Sequence, residues 1–288
     1  MLIFTVIRDI LKFKRKASKQ SFPPTRISPH LPKLSNSDKD KVNGFFHPLF
    51  WFSNSPDTVS NAAKKIIDSA EGGYHFGDNF LTWGKSISML DDESFVKAWK
   101  SNVESTSDET IIWRRYVLAC AAYHCVQLEG DFVECGAYTG VGIKTVIDYL
   151  GGVDFPKTFW GYDLFEHHSE MLNHAMPEHG PELFDRIKLK FKNYPQVNLV
   201  KGTLPEALEI MCPEKIAFLH IDLNQGPAEI AVLEQLFDKI TFGGILILDD
   251  YDWAGVYREQ KIAEDKWLEA RGYRVMPLPT GQGLVIKR

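Results

Sequence analysis

A chain of 288 residues, 44% of them hydrophobic, can bury one substantial core or one core with a smaller added layer. Its formal net charge of −5 at pH 7 gives no general attraction for nucleic acid, and none of its apolar runs reaches the roughly 20 residues that a spanning helix needs. Four cysteines (Cys120, Cys125, Cys135 and Cys212) form neither a C-x-x-C pair nor a zinc-finger spacing, so they read as reduced thiols of a cytoplasmic protein acting on small molecules.

Residues 1–11 are largely apolar and are followed by Lys12, Lys14, Arg15, Lys16 and Lys19, the reverse of a signal peptide's order. Residues 1–19 therefore read as a helix packed on a partner or as an amphipathic segment touching an anionic membrane surface. Residues 21–43, with Pro23, Pro24, Pro29 and Pro32, form a linker or an extended arm. Residues 45–102 are rich in irregularly spaced aromatics, with helices expected near 57–70 and 92–100 and with Asp57 and Asp92 as starting caps. Such a layer covers a pocket, packs on the core, or offers a homodimer surface.

A helix over 108–128, ended by Gly130, precedes a change of pattern. Short apolar runs at 132–135, 158–162, 197–200, 216–221 and 245–248 alternate with helical stretches at 142–150, 181–191, 205–211 and 227–237. That alternation predicts a parallel sheet with crossover helices. A helix over 256–270 then leads to strands at 273–277 and 283–286, a terminal hairpin added to the sheet. The organisation expected is an N-terminal extension and linker (1–44), a helical covering region (45–128) and a Rossmann-like α/β domain (129–288).

The first strand of that domain runs into Glu134-Cys135-Gly136-Ala137-Tyr138-Thr139-Gly140-Val141-Gly142. Glycines here let the backbone turn tightly and let a ligand approach closely. The spacing is not the G-x-G-x-x-G of dinucleotide enzymes, which makes an NAD-dependent oxidoreductase a poor fit, and the acidic Glu134 suits a cationic ligand. Asp163 ends the next strand, where a carboxylate accepts ribose hydroxyls, so the pair implies a nucleoside-containing cofactor. Gly202 and Thr203 end the third strand, either beneath a flat base or, for Thr203, as a helix cap.

The fourth and fifth strands end in His220-Ile221-Asp222-Leu223-Asn224 and Asp249-Asp250-Tyr251-Asp252-Trp253. Carboxyl ends of neighbouring parallel strands share one edge, so Asp222, Asp249 and Asp250 are expected to converge. Converging carboxylates repel unless a cation joins them or one is protonated, and an all-oxygen set favours Mg²⁺ or Ca²⁺. The alternative is three separate capping and solvated residues.

Taken together, Gly130-Asp131-Phe132-Val133-Glu134-Cys135-Gly136, Gly161-Tyr162-Asp163-Leu164-Phe165, His220-Ile221-Asp222-Leu223 and Gly243-Gly244 through Asp249-Asp250-Tyr251 resemble the macrocin O-methyltransferase (TylF-like) family of class I S-adenosylmethionine-dependent enzymes. Upstream, Gly77-Asp78-Asn79-Phe80-Leu81-Thr82-Trp83-Gly84 looks like that family's substrate-covering region, and the resemblance spans roughly residues 74–288. It implies a mostly parallel seven-stranded sheet, S-adenosylmethionine lined by Glu134, Gly136, Tyr138, Gly140, Asp163, Gly202, Thr203 and Asp222, and Mg²⁺ on Asp222, Asp249 and Asp250. It further implies O-methylation of a hydroxyl on a sugar, natural-product or glycan acceptor. Where the family carries its expected general base, this chain has Asn224, whose carboxamide takes no proton at neutral pH. Asp252, His167 and His168 are then the candidate bases, and a non-catalytic cofactor-binding scaffold is the alternative reading.

Overall fold

The computed structural model describes residues 31–32, 44–70, 72–171 and 173–288. The expectations for residues 1–19, and for most of 21–43, lie outside the described residues. Of the arm, Leu31 is buried within the larger core cluster.

The described chain runs β1 (Gly44–Phe46), α1 (Pro56–Ser69), β2 (Tyr74–Gly77), β3 (Phe80–Thr82), α2 (Ser88–Asp91), α3 (Glu93–Asn102), α4 (Thr106–Thr110), α5 (Ile112–Cys125), β4 (Asp131–Cys135) and α6 (Val141–Tyr149). It continues through β5 (Phe159–Asp163), α7 (Leu183–Lys190), β6 (Val197–Lys201), α8 (Glu206–Ile210), β7 (Ile216–Ile221), α9 (Gly226–Leu236), β8 (Ile240–Leu248), α10 (Arg258–Glu269), β9 (Met276–Pro277) and β10 (Gly283–Ile286). Seven strands form one sheet in the order β6-β5-β4-β7-β8-β10-β9. β4 to β8 pair in parallel, and β10 joins β8 and β9 antiparallel.

Alternation along these strands sends side chains to two cores. Phe132, Phe159, Phe218, Ile245 and Ile247 pack on one face with α5 and α6. Val133, Leu219, Leu246 and Leu248 pack on the other with Val232 and Leu233 of α9 and Leu268 of α10. Burial on both faces is why these strands read as unbroken apolar runs. The chain order reverses between β4 and β7, so the carboxyl ends of those strands frame the crevice where such sheets bind ligands.

Five expectations are corrected. The covering region is not wholly helical: β1 pairs in parallel with β2, which turns back into β3 through Asp78 and Asn79, both at positive φ (52° and 55°). The helix placed at 108–128 is two: Ser105 starts α4 earlier, its Oγ accepting the Asp108 N–H at 3.1 Å, and the backbone breaks at Ile111. β8 begins at Ile240 rather than 245, because Gly243 (φ 83°) and Gly244 kink the strand where its register with β7 shifts, without ending it. β9 is only two residues long, because Tyr273 is drawn back to the end of α10 by its N–H bond to the Leu268 carbonyl. Asp92 caps α3 through the Phe95 N–H at 3.1 Å, whereas Asp57 lies in the first turn of α1 and does not cap it. Among the described residues no helix is long and apolar enough to cross a membrane, and all four cysteines are free.

Candidate active site

The glycine turn after β4 is shaped by close approach. Gly136 has φ 96°, and a Cβ there would stand 1.9 Å from the Asp222 carbonyl oxygen, so only glycine lets β4 and β7 come together. Tyr138 follows with φ 43°, unfavourable for a bulky residue, and is held by its N–H donating to Asp163 Oδ2 at 2.7 Å. Gly140 caps α6 in the left-handed conformation against the Phe191 ring. Gly142 leaves room for the Glu134 carboxylate, which a Cβ would meet at 2.8 Å.

Asp163 also accepts the Phe165 N–H, and burial pushes its carboxyl up to about 6 against those hydrogen bonds. Its remaining lone pairs border a cavity of about 180 Å³ that Gly202 and Thr203 also line. α8 has no side-chain cap, so Thr203 is not used in that way. A second cavity, of about 640 Å³, continues from the first, with Gly136, Tyr138, Asp222 and Asn224 lining both. Trp51, Phe52, Trp253 and Tyr257 form its aromatic walls. Glu134 also lines it, with Oε1 on His220 Nδ1 at 2.7 Å and Oε2 buried without a partner. An orphaned carboxylate oxygen beside the glycine turn fits the cationic end of S-adenosylmethionine.

Asp222, Asp249 and Asp250 border the larger cavity together, as the strand ends imply. They do not converge on open space. Arg114 of α5 reaches among them, its Nη1 donating to Asp249 Oδ2 at 2.9 Å and to Asp250 Oδ1 at 2.7 Å. Its Nε and Nη2 grip both oxygens of Asp78, at 2.7 and 2.9 Å, from the β2–β3 turn. Asp249 Oδ1 takes the Gln282 amide at 2.7 Å and lies 3.7 Å from His220 Nε2. Although burial opposes it, contact with Asp249 and Glu134 raises His220 to about 10, so the ring is an imidazolium at neutral pH. Arg114 and His220 hold the Asp249 carboxyl well below its usual range against burial. Burial pushes Asp250 up to about 6 while Arg114 pulls it down. Burial, then Asp249 and Asp250, raise Asp222 well above the ordinary carboxylate range.

These contacts test the magnesium expectation. Ligand atoms of His220, Asp222 and Asp249 lie within 4.8 Å of one another, a set that leaves out Asp250. Each oxygen of Asp249 already accepts an N–H group, and Asp250 is held by Arg114 outside that set. Asn224, at φ 58°, turns its amide N–H toward Asp222 Oδ1 at 3.0 Å and presents a donor there rather than a ligand. The acids as arranged therefore do not fit an octahedral Mg²⁺ shared by all three.

The three expected bases are not brought to either cavity. Asp252 is exposed and pairs with Lys261 at 3.4 Å. His167 bonds the Asn173 carbonyl at 2.9 Å, and His168 is exposed. The site residues that the sequence reading missed are Arg114, Asp78, His220 and Gln282. Their only signals were an arginine pair opening a helix and a histidine inside an apolar strand.

A glycine turn at the switch point of this sheet, an acid ending the adjacent strand, and a joined acceptor cavity define a Rossmann-like S-adenosylmethionine-dependent methyltransferase catalysing O-methyl transfer. Residues 118–272, more than half of the chain, match the macrocin-O-methyltransferase (TylF) family, and the chain belongs to that family. Among solved structures, the O-methyltransferase NovP is similar at 19% identity and TM-score 0.52, over 61% of this chain and 80% of that one. The apo structure of CalS11, a TDP-rhamnose 3′-O-methyltransferase of calicheamicin biosynthesis, is similar at 16% identity and TM-score 0.49, over 81% of this chain and 95% of that one. No curated protein sequence matches significantly.

Proposed function

We propose that the protein methylates a hydroxyl of a sugar, glycan or glycosylated natural product bound in the larger cavity. The observation that carries this reading is the junction of the two cavities at Asp222 and Asn224, where the larger cavity is lined by both carboxylates and aromatic rings. Carboxylates accept hydrogen bonds from neighbouring hydroxyls, while aromatic rings stack on the apolar face of a sugar ring. S-adenosylmethionine supplies a methyl on a sulfonium, and the chain's part is to hold the acceptor oxygen in line and take its proton. In this reading Glu134, Gly136, Tyr138, Gly140, Asp163, Gly202, Thr203 and Asp222 surround the cofactor.

Asp250 takes the proton. One of its oxygens is fixed by Arg114, the other has no hydrogen bond from the described residues, and a carboxyl near 6 is matched to proton abstraction at neutral pH. Asn224 thus leaves the site with a base, and nothing favours a non-catalytic scaffold. The resemblance implies Mg²⁺ as well; only the free oxygens of Asp222 and Asp250 support it, and no step here is routed through it. A cytoplasmic location and a homodimer belong to the same proposal, supported by the free cysteines and by exposed Phe52, Leu81 and Trp83. The test is calorimetry with S-adenosylhomocysteine followed by transfer of labelled methyl to a panel of glycosides. Absence of binding sinks the cofactor site, and labelled product only on non-hydroxyl acceptors sinks the reading of the larger cavity.

A further inference from the structure

We propose that the Arg114 guanidinium is the resident cation of the acid edge, so that this chain holds its carboxylates together and runs its reaction without a divalent metal. The inference rests on the methyltransferase reading and deepens it. Arg114 uses four of its five N–H donors on three acids that arrive from distant parts of the chain: Asp78, Asp249 and Asp250. Paired N–H bonds to Asp78 fix the plane of the fork, and one nitrogen then bridges Asp249 and Asp250. That nitrogen brings Asp249 and Asp250 the positive charge that a bridging metal ion would otherwise supply. The Trp253 ring covers the guanidinium at 4.9 Å, and the side chain is only 10% exposed.

Every other acid at the edge has its own partner. The His220 ring lies between Glu134 and Asp249. Asp222, which lines both cavities, accepts the Asn224 amide. Asn224 belongs to the same arrangement: an acid at that position would face Asp222 and need a cation between them, whereas the amide donates to Asp222 at 3.0 Å. A dication entering here would meet the positive charge of a largely buried guanidinium. Arg114 is therefore a positioning residue. It fixes one oxygen of Asp250 at the wall of the larger cavity, and through Asp78 it ties the covering sheet to the acid edge.

The test titrates the full-length protein with Mn²⁺, followed by electron paramagnetic resonance, and measures S-adenosylhomocysteine binding by calorimetry in EDTA and in Mg²⁺. The wild type is expected to show no saturable Mn²⁺ site below millimolar concentration, and an S-adenosylhomocysteine affinity that differs by less than about twofold between the buffers. Arg114→Gln is expected to lower the melting temperature by roughly 10 °C in EDTA and to gain a saturable Mn²⁺ site that recovers part of that loss. A wild-type Mn²⁺ site that Asp222→Asn abolishes overturns the proposal, and so does a folded Arg114→Gln that gains none. The wild-type titration decides even where that variant does not fold. Failure of S-adenosylhomocysteine to bind in either buffer instead sinks the methyltransferase reading, while the Mn²⁺ result still judges Arg114.

Discussion

The cofactor side and the acid edge of this crevice are built by different means. On the cofactor side the backbone does most of the work: Gly136 fits against the Asp222 carbonyl, and the Tyr138 N–H meets Asp163. Gly136, Tyr138 and Asp163 come from two consecutive strand ends, and Asp222 comes from a third, that of β7. At the acid edge the side chains do the work, and the contacts of Arg114 span up to 136 residues of sequence. A site made from backbone turns is specified locally and resists change at single atoms. A site made from charges depends on which counter-charge arrives, and the same acids serve a metal or a guanidinium according to that partner.

The strongest way to break both sides at once is Gly136→Ala. The added methyl would strike the Asp222 carbonyl at 1.9 Å in a backbone conformation that L-residues rarely adopt, at a cost above about 3 kcal/mol. Calorimetry is expected to show no S-adenosylhomocysteine heat, and the melting temperature to fall. Asp250→Asn separates the two sides: kcat on any accepted glycoside drops by about 100-fold or more while S-adenosylhomocysteine affinity holds. Because the base must be ionised, wild-type kcat declines as pH falls through about 6, and the variant's residual rate lacks that limb. Asp163→Asn is the converse, weakening S-adenosylhomocysteine by roughly 10- to 100-fold through loss of charge-assisted bonds, with kcat at saturation little changed.

A smaller effect sharpens the contrast from below. Glu229 and Glu264 are both fully buried, and each has an Oε2 with no partner, a gap closed when one carboxyl keeps its proton and donates to the other. The pair braces the acid edge, since Glu229 accepts the Leu223 N–H at 3.2 Å and Gln260, bonded to Glu264, donates to the Asp249 carbonyl. Burial raises Glu264 to about 7 and Glu229 well above its ordinary value. A carboxyl raised on folding stabilises fully below its unfolded pKa, near 4.5, and that contribution is lost as pH rises through about 7. Thermal melts from pH 5 to pH 8 should therefore show a decline of a few degrees that Glu264→Gln flattens; a variant as steep as the wild type refutes the pairing. The smallest effect expected is that of Asp252→Asn, which changes kcat by no more than about twofold because its carboxylate is exposed beside Lys261.

Much of this molecule was legible before folding. The strands at 216–221 and 283–286 match β7 and β10 residue for residue, and the crossover helices fall within one or two residues of their predicted starts and ends. Periodicity and burial on both sheet faces leave those segments no competing arrangement. The break at Ile111 and the β1–β3 sheet were not legible, because a hydroxyl cap and two short pairings among irregular aromatics leave no periodic trace. Asp252, His167 and His168 sit close in sequence to functional strand ends, yet none of the three lines either cavity.

By itself, then, the sequence determined the doubly wound sheet, the glycine turn and the pairing of that turn with Asp163, because each depends on residues within one strand-helix-strand unit. It also determined that three acids would reach one edge. Only the tertiary structure decided what neutralises them: Arg114 is on a helix before the sheet begins, and Asp78 is in a turn of the covering layer. Electrostatic partnership is a matter of distance in space and of exclusion of water, and neither is written in the spacing of residues along a chain.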